Sequence, residues 1–120
     1  MKILFISFLL FLIPTITFAQ DDWTKKDTVY QATFLALEMV DWLQTKEIAR
    51  NTRYYETNII LGKYPKQNTV DLYFFSTTIT HSVIAYYLPK EYRRIWQCVF
   101  IGIQVGCIVH NYNAGIKINF

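Results

Sequence analysis

Charged residues are scarce in this chain of 120 residues. They make up 18% of the sequence and apolar residues 52%, whereas soluble domains average about 25% charged residues. The net charge is only +3, and no basic run alternates with aromatic residues as in a strand-binding groove. The composition therefore argues against a nucleic-acid partner, and the length leaves room for one domain.

Cysteine and histidine are also rare, with two of each. Cys98 and Cys107 lie in one apolar stretch, more than about 13 Å apart along a helix. Because this separation is too long for a disulfide, we expect both to be small core residues. The chain contains no His-x-x-x-His or Glu-x-x-His pair, so the sequence predicts no metal or other cofactor.

The N-terminus has the pattern of a secretory signal. Lys2 precedes an apolar run over residues 3–13, Pro14 ends this run, and Thr17 and Ala19 offer small residues at the −3 and −1 positions of a cleavage site. This order is typical of a signal peptide with its cleavage site. We therefore expect residues 1–19 to be a signal peptide, with an uncleaved signal anchor as the alternative, and residues 20–120 to be a single exported domain.

Three apolar segments follow, at about residues 28–49, 70–88 and 94–112. The second contains about nineteen residues without Gly or Pro, long enough to cross a bilayer at about 1.5 Å per residue. The third has a shorter unbroken core and is marginal as a span on its own. The sequence predicts an all-α fold, a small bundle of about three apolar, transmembrane helices.

Each apolar segment carries one narrow polar stripe. At about 100° per residue, the polar side chains of a segment fall within one arc of a helix. The stripes are formed by Gln31, Glu38, Asp41 and Thr45, by Asp71, Thr78, His81 and Ser82, and by Gln97, Gln104, Cys107 and Asn111. Such helices turn their stripes towards one another and their apolar surface towards lipid, which predicts a polar bundle interior.

The localisation that we expect is the bacterial inner membrane, with the lipid bilayer as the main partner. A soluble periplasmic helical domain with buried polar networks is one alternative. An outer-membrane protein is another, because the ending NYNAGIKINF alternates like a terminal barrel strand. About a hundred mature residues are too few for eight strands of about ten residues, so we expect only a short extended C-terminal tail.

The third segment also contains Gly102 and Gly106, on the face away from its polar stripe. Small residues at this spacing let two helix backbones approach closely. They predict a packing face within the bundle, towards another membrane protein or towards a second copy of this chain. The alternative is that the two glycines are incidental.

The loop YYETNIILGKYP, residues 54–65, separates the first two segments. Gly62 suits a left-handed backbone position, and Pro65 prevents the helix from resuming. Asn68 or Thr69 would then cap the second helix. The loop is therefore predicted to be an interhelical turn.

A second interpretation gives two loop residues a further role. Glu56 and Asn58 could fold back against the mouth of the bundle and join Asp41 or His81. This placement would bring an acid and an amide from the loop to the polar stripes of the helices. The sequence alone leaves both interpretations open.

The strings DWLQT and YYETNIILGKYP resemble small uncharacterised helical membrane proteins of bacterial and prophage genomes. In those proteins a helix with Asp-x-x-x-Thr precedes a loop of the form Glu-x-Asn-Pro-Leu-Leu-Gly. The similarity covers residues 41–71, and this chain departs from the pattern at Ile59, where the family has Pro. The resemblance implies a multi-helix membrane fold with no established reaction. It groups the following residues into one unit: Asp41, Thr45, Glu56, Asn58 and Gly62.

The predicted site is a polar network inside the bundle. Its members are Glu38, Asp41, Thr45, Glu56, Asn58, His81, Gln104 and Asn111. The main role that we expect is to fix helix register, in a membrane protein that is a structural or interaction component of the envelope. An enzyme is the less favoured hypothesis.

The enzyme hypothesis has two forms. In the first, Asp41 and His81 act as a catalytic acid–base pair. In the second, Glu38, Asp41 and His81 bind a metal ion, with Glu56 or His110 as a further ligand, since carboxylate and imidazole groups meet in such bundles.

Overall fold

A computed structural model describes residues 22–119, which form three α-helices and no strand. Helix α1 spans Lys25–Arg50, α2 spans Gln67–Tyr87 and α3 spans Lys90–Asn113. The all-α prediction is confirmed, and each helix begins three or four residues before its predicted start. The signal peptide predicted over residues 1–19 lies outside the described residues.

Helix α1 begins at a capping box. The Thr24 hydroxyl accepts a hydrogen bond from the Asp27 amide at 3.2 Å, and Asp27 Oδ2 accepts one from the Thr24 amide at 2.9 Å. These bonds satisfy two amides that a helix start otherwise leaves free. The helix ends at Asn51, whose extended backbone stops it.

The N-cap of helix α2 lies two or three residues before the predicted capping residues. This residue is Lys66, which makes no side-chain cap, so the prediction of Asn68 or Thr69 as the cap is wrong. Helix α2 begins at Gln67, two residues after Pro65. Helix α2 ends before Pro89 because the residue preceding a proline disfavours the helical conformation.

Helix α3 ends in a Schellman motif. Gly115 has a φ of 83°, its amide donates to the Tyr112 carbonyl, and the Ile116 amide donates to the Asn111 carbonyl at 3.1 Å. A left-handed residue at this position favours glycine. Residues 116–119 then run on without regular secondary structure.

Helix α1 makes most of the contacts between helices, and more of them with α3 than with α2. Polar side chains fill much of the space between the helices. Those buried in the interior are Asp27, Glu38, Asp41, Gln44, Thr45, His81, Arg93, Gln97 and Asn111. The main apolar cluster is small, built on Leu61, Val70 and Phe74. The bundle therefore has a polar interior, while many large apolar side chains are exposed.

Three expectations from the sequence are wrong. Cys98 and Cys107 are free but exposed; in the case of Cys98, the neighbouring Gln97 takes the inward position on α3. Asp71 lies at the surface, with its side chain 40% exposed, where it pairs with Lys46 at 3.0 Å. Here a basic partner and partial hydration stabilise the carboxylate better than the interior would.

Gly102 and Gly106 do not pack against another helix of the bundle. Both are exposed, and a Cβ atom added at either would meet nothing within 4 Å. A packing face within the bundle is therefore wrong. Association with another membrane protein or a second copy stays a prediction.

Candidate functional site

A cavity of about 500 Å³ lies between the three helices and the loop that joins α1 to α2. Its wall includes every member of the polar network predicted from the sequence. These residues are Glu38, Asp41, Thr45, Glu56, Asn58, His81, Gln104 and Asn111. Apolar walls are supplied by Phe34, Leu61, Phe74, Phe100 and Ile103. The cavity therefore combines carboxyl, amide and aromatic surfaces.

The loop folds back onto the cavity because Asn58 organises it. Asn58 Oδ1 accepts a hydrogen bond from the backbone amide of Ile60 at 2.9 Å, and the backbone amide of Asn58 donates to Glu56 Oε1 at 2.8 Å. Its Nδ2 donates to the Tyr73 hydroxyl on α2 at 2.9 Å. Gly62, with a φ of 79°, then turns the chain. The loop is an interhelical turn, and it also brings Glu56 and Asn58 to the cavity wall that Asp41 and His81 line.

Glu38 is buried on the cavity wall, with only 2% of the residue exposed. Its Oε1 accepts a hydrogen bond from the Thr77 hydroxyl at 2.6 Å. Its Oε2 is buried without a hydrogen-bond partner. Glu38 therefore ties α1 to α2 through one of its two carboxyl oxygens.

Asp41 joins α1 to α3. Its Oδ1 accepts a hydrogen bond from Asn111 Nδ2 at 3.1 Å and is 3.5 Å from the Thr45 hydroxyl. Asn111 Nδ2 also donates to Gln44 Oε1 at 3.2 Å, and Gln44 Nε2 donates to the Ile108 carbonyl at 3.4 Å. These bonds form a cross-helix network of the kind that fixes register.

His81 lies among aromatic rings and is 3% exposed. It stacks on Phe34 with ring centroids 3.6 Å apart, and the Trp96 and Phe100 rings lie at 5.5 Å and 5.1 Å. Its Nδ1 is 3.3 Å from Gln31 Nε2. Its Nε2 is buried without a hydrogen-bond partner. The ring is thus held rigidly, with one nitrogen unused.

A chain of amides assigns the proton of His81. Gln97 Nε2 donates to the Asp27 carbonyl at 3.1 Å and to Gln31 Oε1 at 3.3 Å. This arrangement turns Gln31 Nε2, which can only donate, towards His81 Nδ1. Because Nδ1 must then accept, the network assigns the proton of the neutral ring to Nε2.

The cavity does not assemble the two enzyme constellations considered from the sequence. The described hydrogen bonds of Asp41 go to Thr45 and Asn111, and His81 Nδ1 bonds to Gln31, so the two candidates do not form an acid–base pair. Within residues 22–119, no group of three or more His, Cys, Asp or Glu residues could hold a metal ion. Glu38, Asp41 and His81 therefore share a wall without forming a ligand set.

Two buried charges escaped the sequence analysis. Asp27 and Arg93 form an ion pair at 3.0 Å, away from the cavity. The spacing of Thr24 and Asp27 in a capping box was the available signal for Asp27. The sequence contains no such signal for Arg93, because a basic residue next to an apolar segment is usually an exposed charge that flanks the segment.

Comparison of the chain with protein families, with curated proteins and with solved structures gives no match. The resemblance to small membrane proteins of bacterial and prophage genomes therefore stays a prediction. It rests on the residues between positions 41 and 71. A function for this chain has to be inferred from its fold and from the geometry of its cavity.

Proposed function

We propose that this chain is a small integral membrane protein of the bacterial inner membrane, acting as a structural or interaction component of the envelope. In this proposal the three helices cross the bilayer and the polar network fixes their register from inside. The observation that carries the proposal is the position of the exposed charges.

Within residues 28–49, 70–88 and 94–112, Glu38 and Asp41 are buried. The remaining charged side chains are only partly exposed and lie in the first or last turn of a segment, at Lys46, Glu47, Asp71 and Arg94. Exposed positions there carry side chains such as Phe75 and Ile95, which are 58% and 60% exposed. The charged residues with larger exposed fractions all lie outside these segments, at Asp22, Lys25, Lys26, Arg50, Arg53, Lys63, Lys66, Lys90, Glu91 and Lys117. A water-soluble helix shows the opposite pattern, a charged outer face, whereas lipid requires an uncharged one.

Helix α3 adds support through its length and composition. Among the described residues it alone is long and apolar enough to cross a membrane by these measures, and only 17% of its most apolar window is buried. Helix α1 is less apolar partly because it carries Glu38 and Asp41, but both are buried in the bundle. Polar residues inside a bundle are compatible with a lipid-facing exterior.

An interaction or structural role agrees better with the site than a reaction does. Most polar groups of the cavity bond across helices, as Asn111 does to Asp41 and Thr77 does to Glu38. Such bonds position helices. An acid–base enzyme would require Asp41 and His81 to meet, and in this arrangement each has other partners.

Cell fractionation with an alkaline wash of separated inner and outer membranes tests the proposal. We expect the tagged full-length chain to stay in the washed inner membrane. Recovery as a soluble periplasmic protein or in the outer membrane would contradict the proposal.

A pair of variants sharpens this test. Phe75→Arg places a charge on the proposed lipid-facing surface, and we expect it to lower the amount of membrane-inserted protein. Lys63→Arg, in the exposed loop, should leave that amount unchanged. If the chain were water-soluble, Phe75→Arg would be tolerated, because arginine is well hydrated at an exposed position.

A further inference from the structure

The cavity wall carries three carboxyl groups and two histidines, His81 and His110, but no lysine or arginine among the described lining residues to balance the acids. The three acids are Glu38, Asp41 and Glu56. The carboxyl groups of Glu38 and Glu56 are near enough to Asp41 to interact with it electrostatically. Like charges in a poorly hydrated site disfavour one another, so a bound cation would be stabilised there.

Unpartnered buried atoms on the same wall independently indicate a ligand. His81 Nε2 and Glu38 Oε2 are both buried without a hydrogen bond, and so is Gln104 Oε1. Buried polar atoms in this state are uncommon in folded proteins and require an explanation. The proton on His81 Nε2 makes that nitrogen a donor, whereas Glu38 Oε2 is an acceptor. A ligand that completes both bonds must therefore offer a donor and an acceptor.

Glu38 and His81 are placed about one helical turn apart along the bundle. Glu38 follows Phe34 by four residues on α1, and the Phe34 ring stacks on His81. On α2, His81 follows Thr77 by four residues, and Thr77 donates to Glu38. One turn of an α-helix rises about 5.4 Å. The donor and the acceptor of the ligand should therefore be separated by only a few bonds.

We propose that the cavity binds a small organic ammonium compound that also carries an oxygen acceptor. The ammonium group lies at Glu38, near Asp41 and Glu56, and the oxygen accepts from His81 Nε2. An apolar or aromatic body packs on the rings of Phe34 and Phe100, and a cation beside such rings gains further attraction. The volume of about 500 Å³ is typical of a small-molecule site.

An organic cation fits better than a metal ion. Among the described residues, no group of three or more His, Cys, Asp or Glu side chains is placed to hold a metal ion, and a metal ion requires several ligands at short distances. An ammonium group accepts a looser arrangement, because it needs only hydrogen-bond acceptors and nearby negative charge. Binding of such a compound goes beyond the proposed membrane role and does not depend on it.

Isothermal titration calorimetry on the purified full chain in detergent tests the proposal. The probe is phenylethanolamine, which has an ammonium group, a hydroxyl oxygen and an aromatic body. We expect saturable binding of phenylethanolamine. 2-Phenylethanol, which lacks the ammonium group, should bind about tenfold or more weakly. 2-Phenylethylamine, which lacks the oxygen, should also bind more weakly. No saturable binding of phenylethanolamine, or equal affinity for all three compounds, would overturn the proposal.

Two variants assign the contacts. Glu38→Gln keeps the shape of the side chain but removes its charge, and we expect about a tenfold loss of affinity for phenylethanolamine. His81→Phe keeps a ring but removes the donor, so phenylethanolamine and 2-phenylethylamine should then bind equally. Asp71→Asn is the control, since this acid lies outside the cavity. The affinity of this variant for phenylethanolamine should match that of the unmodified chain.

Two further measurements keep the result decisive. If circular dichroism shows that Glu38→Gln does not fold, Glu56→Gln in the loop replaces it, with a loss of affinity again expected. Unchanged affinity in a folded variant of either residue would overturn the proposal.

Titration in micelles that contain phosphatidylethanolamine or phosphatidylglycerol separates two sources of the same chemistry. Competition by the first lipid alone would identify a lipid headgroup as the ammonium donor, and no competition would identify a free small molecule.

Discussion

Arg93 and Asp27 form a fully buried ion pair that ties the start of α3 to the start of α1. Arg93 Nη1 lies 3.0 Å from Asp27 Oδ2, and neither side chain has any exposed surface. Arg93 Nε also donates to the Ala85 carbonyl on α2 at 2.8 Å. One guanidinium group therefore joins all three helices, which its fixed fork of donors makes favourable.

Removal of this guanidinium should destabilise the fold strongly. We expect Arg93→Met to lower the free energy of unfolding by about 3–5 kcal/mol, because the buried carboxylate of Asp27 would lose its closer basic partner and keep the longer contact to Arg94, at 3.5 Å. Unfolding in detergent followed by circular dichroism measures the effect. Arg53→Met, in the exposed loop, is the control and should change little. Equal stability of the two variants would mean that the ion pair contributes nothing.

Acid should weaken the same end of the bundle. Burial alone would raise the pKa of Asp27, but hydrogen bonds from Thr24 and Arg93 and the charge of Arg93 hold it below the ordinary value of 3.8. Because the pKa is lower in the folded state, the contribution to stability is complete well above pH 3.8 and is lost as the pH falls through the folded pKa. The thermal midpoint should therefore fall more steeply in acid for the unmodified chain than for Asp27→Asn. Asp22→Asn, at an exposed position, should retain the steep fall, and parallel curves for all three would refute this expectation.

The cavity network should contribute to stability through Asn111. Its Nδ2 donates both to Asp41 and to Gln44, so Asn111→Ala leaves buried acceptors without their donor. We expect a loss of about 1–3 kcal/mol in the free energy of unfolding. Asn113→Ala, at the exposed end of α3, is the matched control. A loss of similar size in both would show that the cross-helix bonds are not the cause.

The turn at Gly62 should resist substitution although space is available. A Cβ atom at this position would meet nothing within 4 Å, but the φ of 79° is one that side chains disfavour. We expect Gly62→Ala to cost about 1–2 kcal/mol in the free energy of unfolding. Gly102→Ala, within α3, should leave stability unchanged or raise it, because alanine favours a helix. If Gly62→Ala had the higher free energy of unfolding of the two variants, the left-handed geometry at Gly62 would be contradicted.

Self-association is expected to depend on the exposed glycines of α3. Gly102→Leu should reduce chemical crosslinking between copies of the chain in membranes, because a large side chain prevents close approach of two helices. Gly102→Ala retains a small side chain and should crosslink nearly as well as the unmodified chain. Crosslinking that is equally strong in both variants would place any interface elsewhere.

The three helices and the polar network of the cavity wall could be predicted from the sequence alone, whereas the aromatic wall and Thr77 could not. The helices and the network depend on local rules, because helical period places Glu38 and Asp41 on one face whatever their partners are. The turn at Gly62 was predictable in the same way from backbone freedom. Residues spaced at this period on separate helices then meet when the polar faces turn inward.

The pairing of charges and the exposure of single positions depend instead on tertiary packing. Arg93 and Asp71 are both charged residues near a helix end, yet Arg93 is buried and Asp71 stays at the surface. The difference depends on whether the packed neighbours supply enough partners to offset the loss of hydration. Cys98 is exposed for a related reason, since the rotation of α3 is set by Gln97, which bonds to α1. The period of a helix defines its faces, but its contacts with the other helices decide how each face is turned.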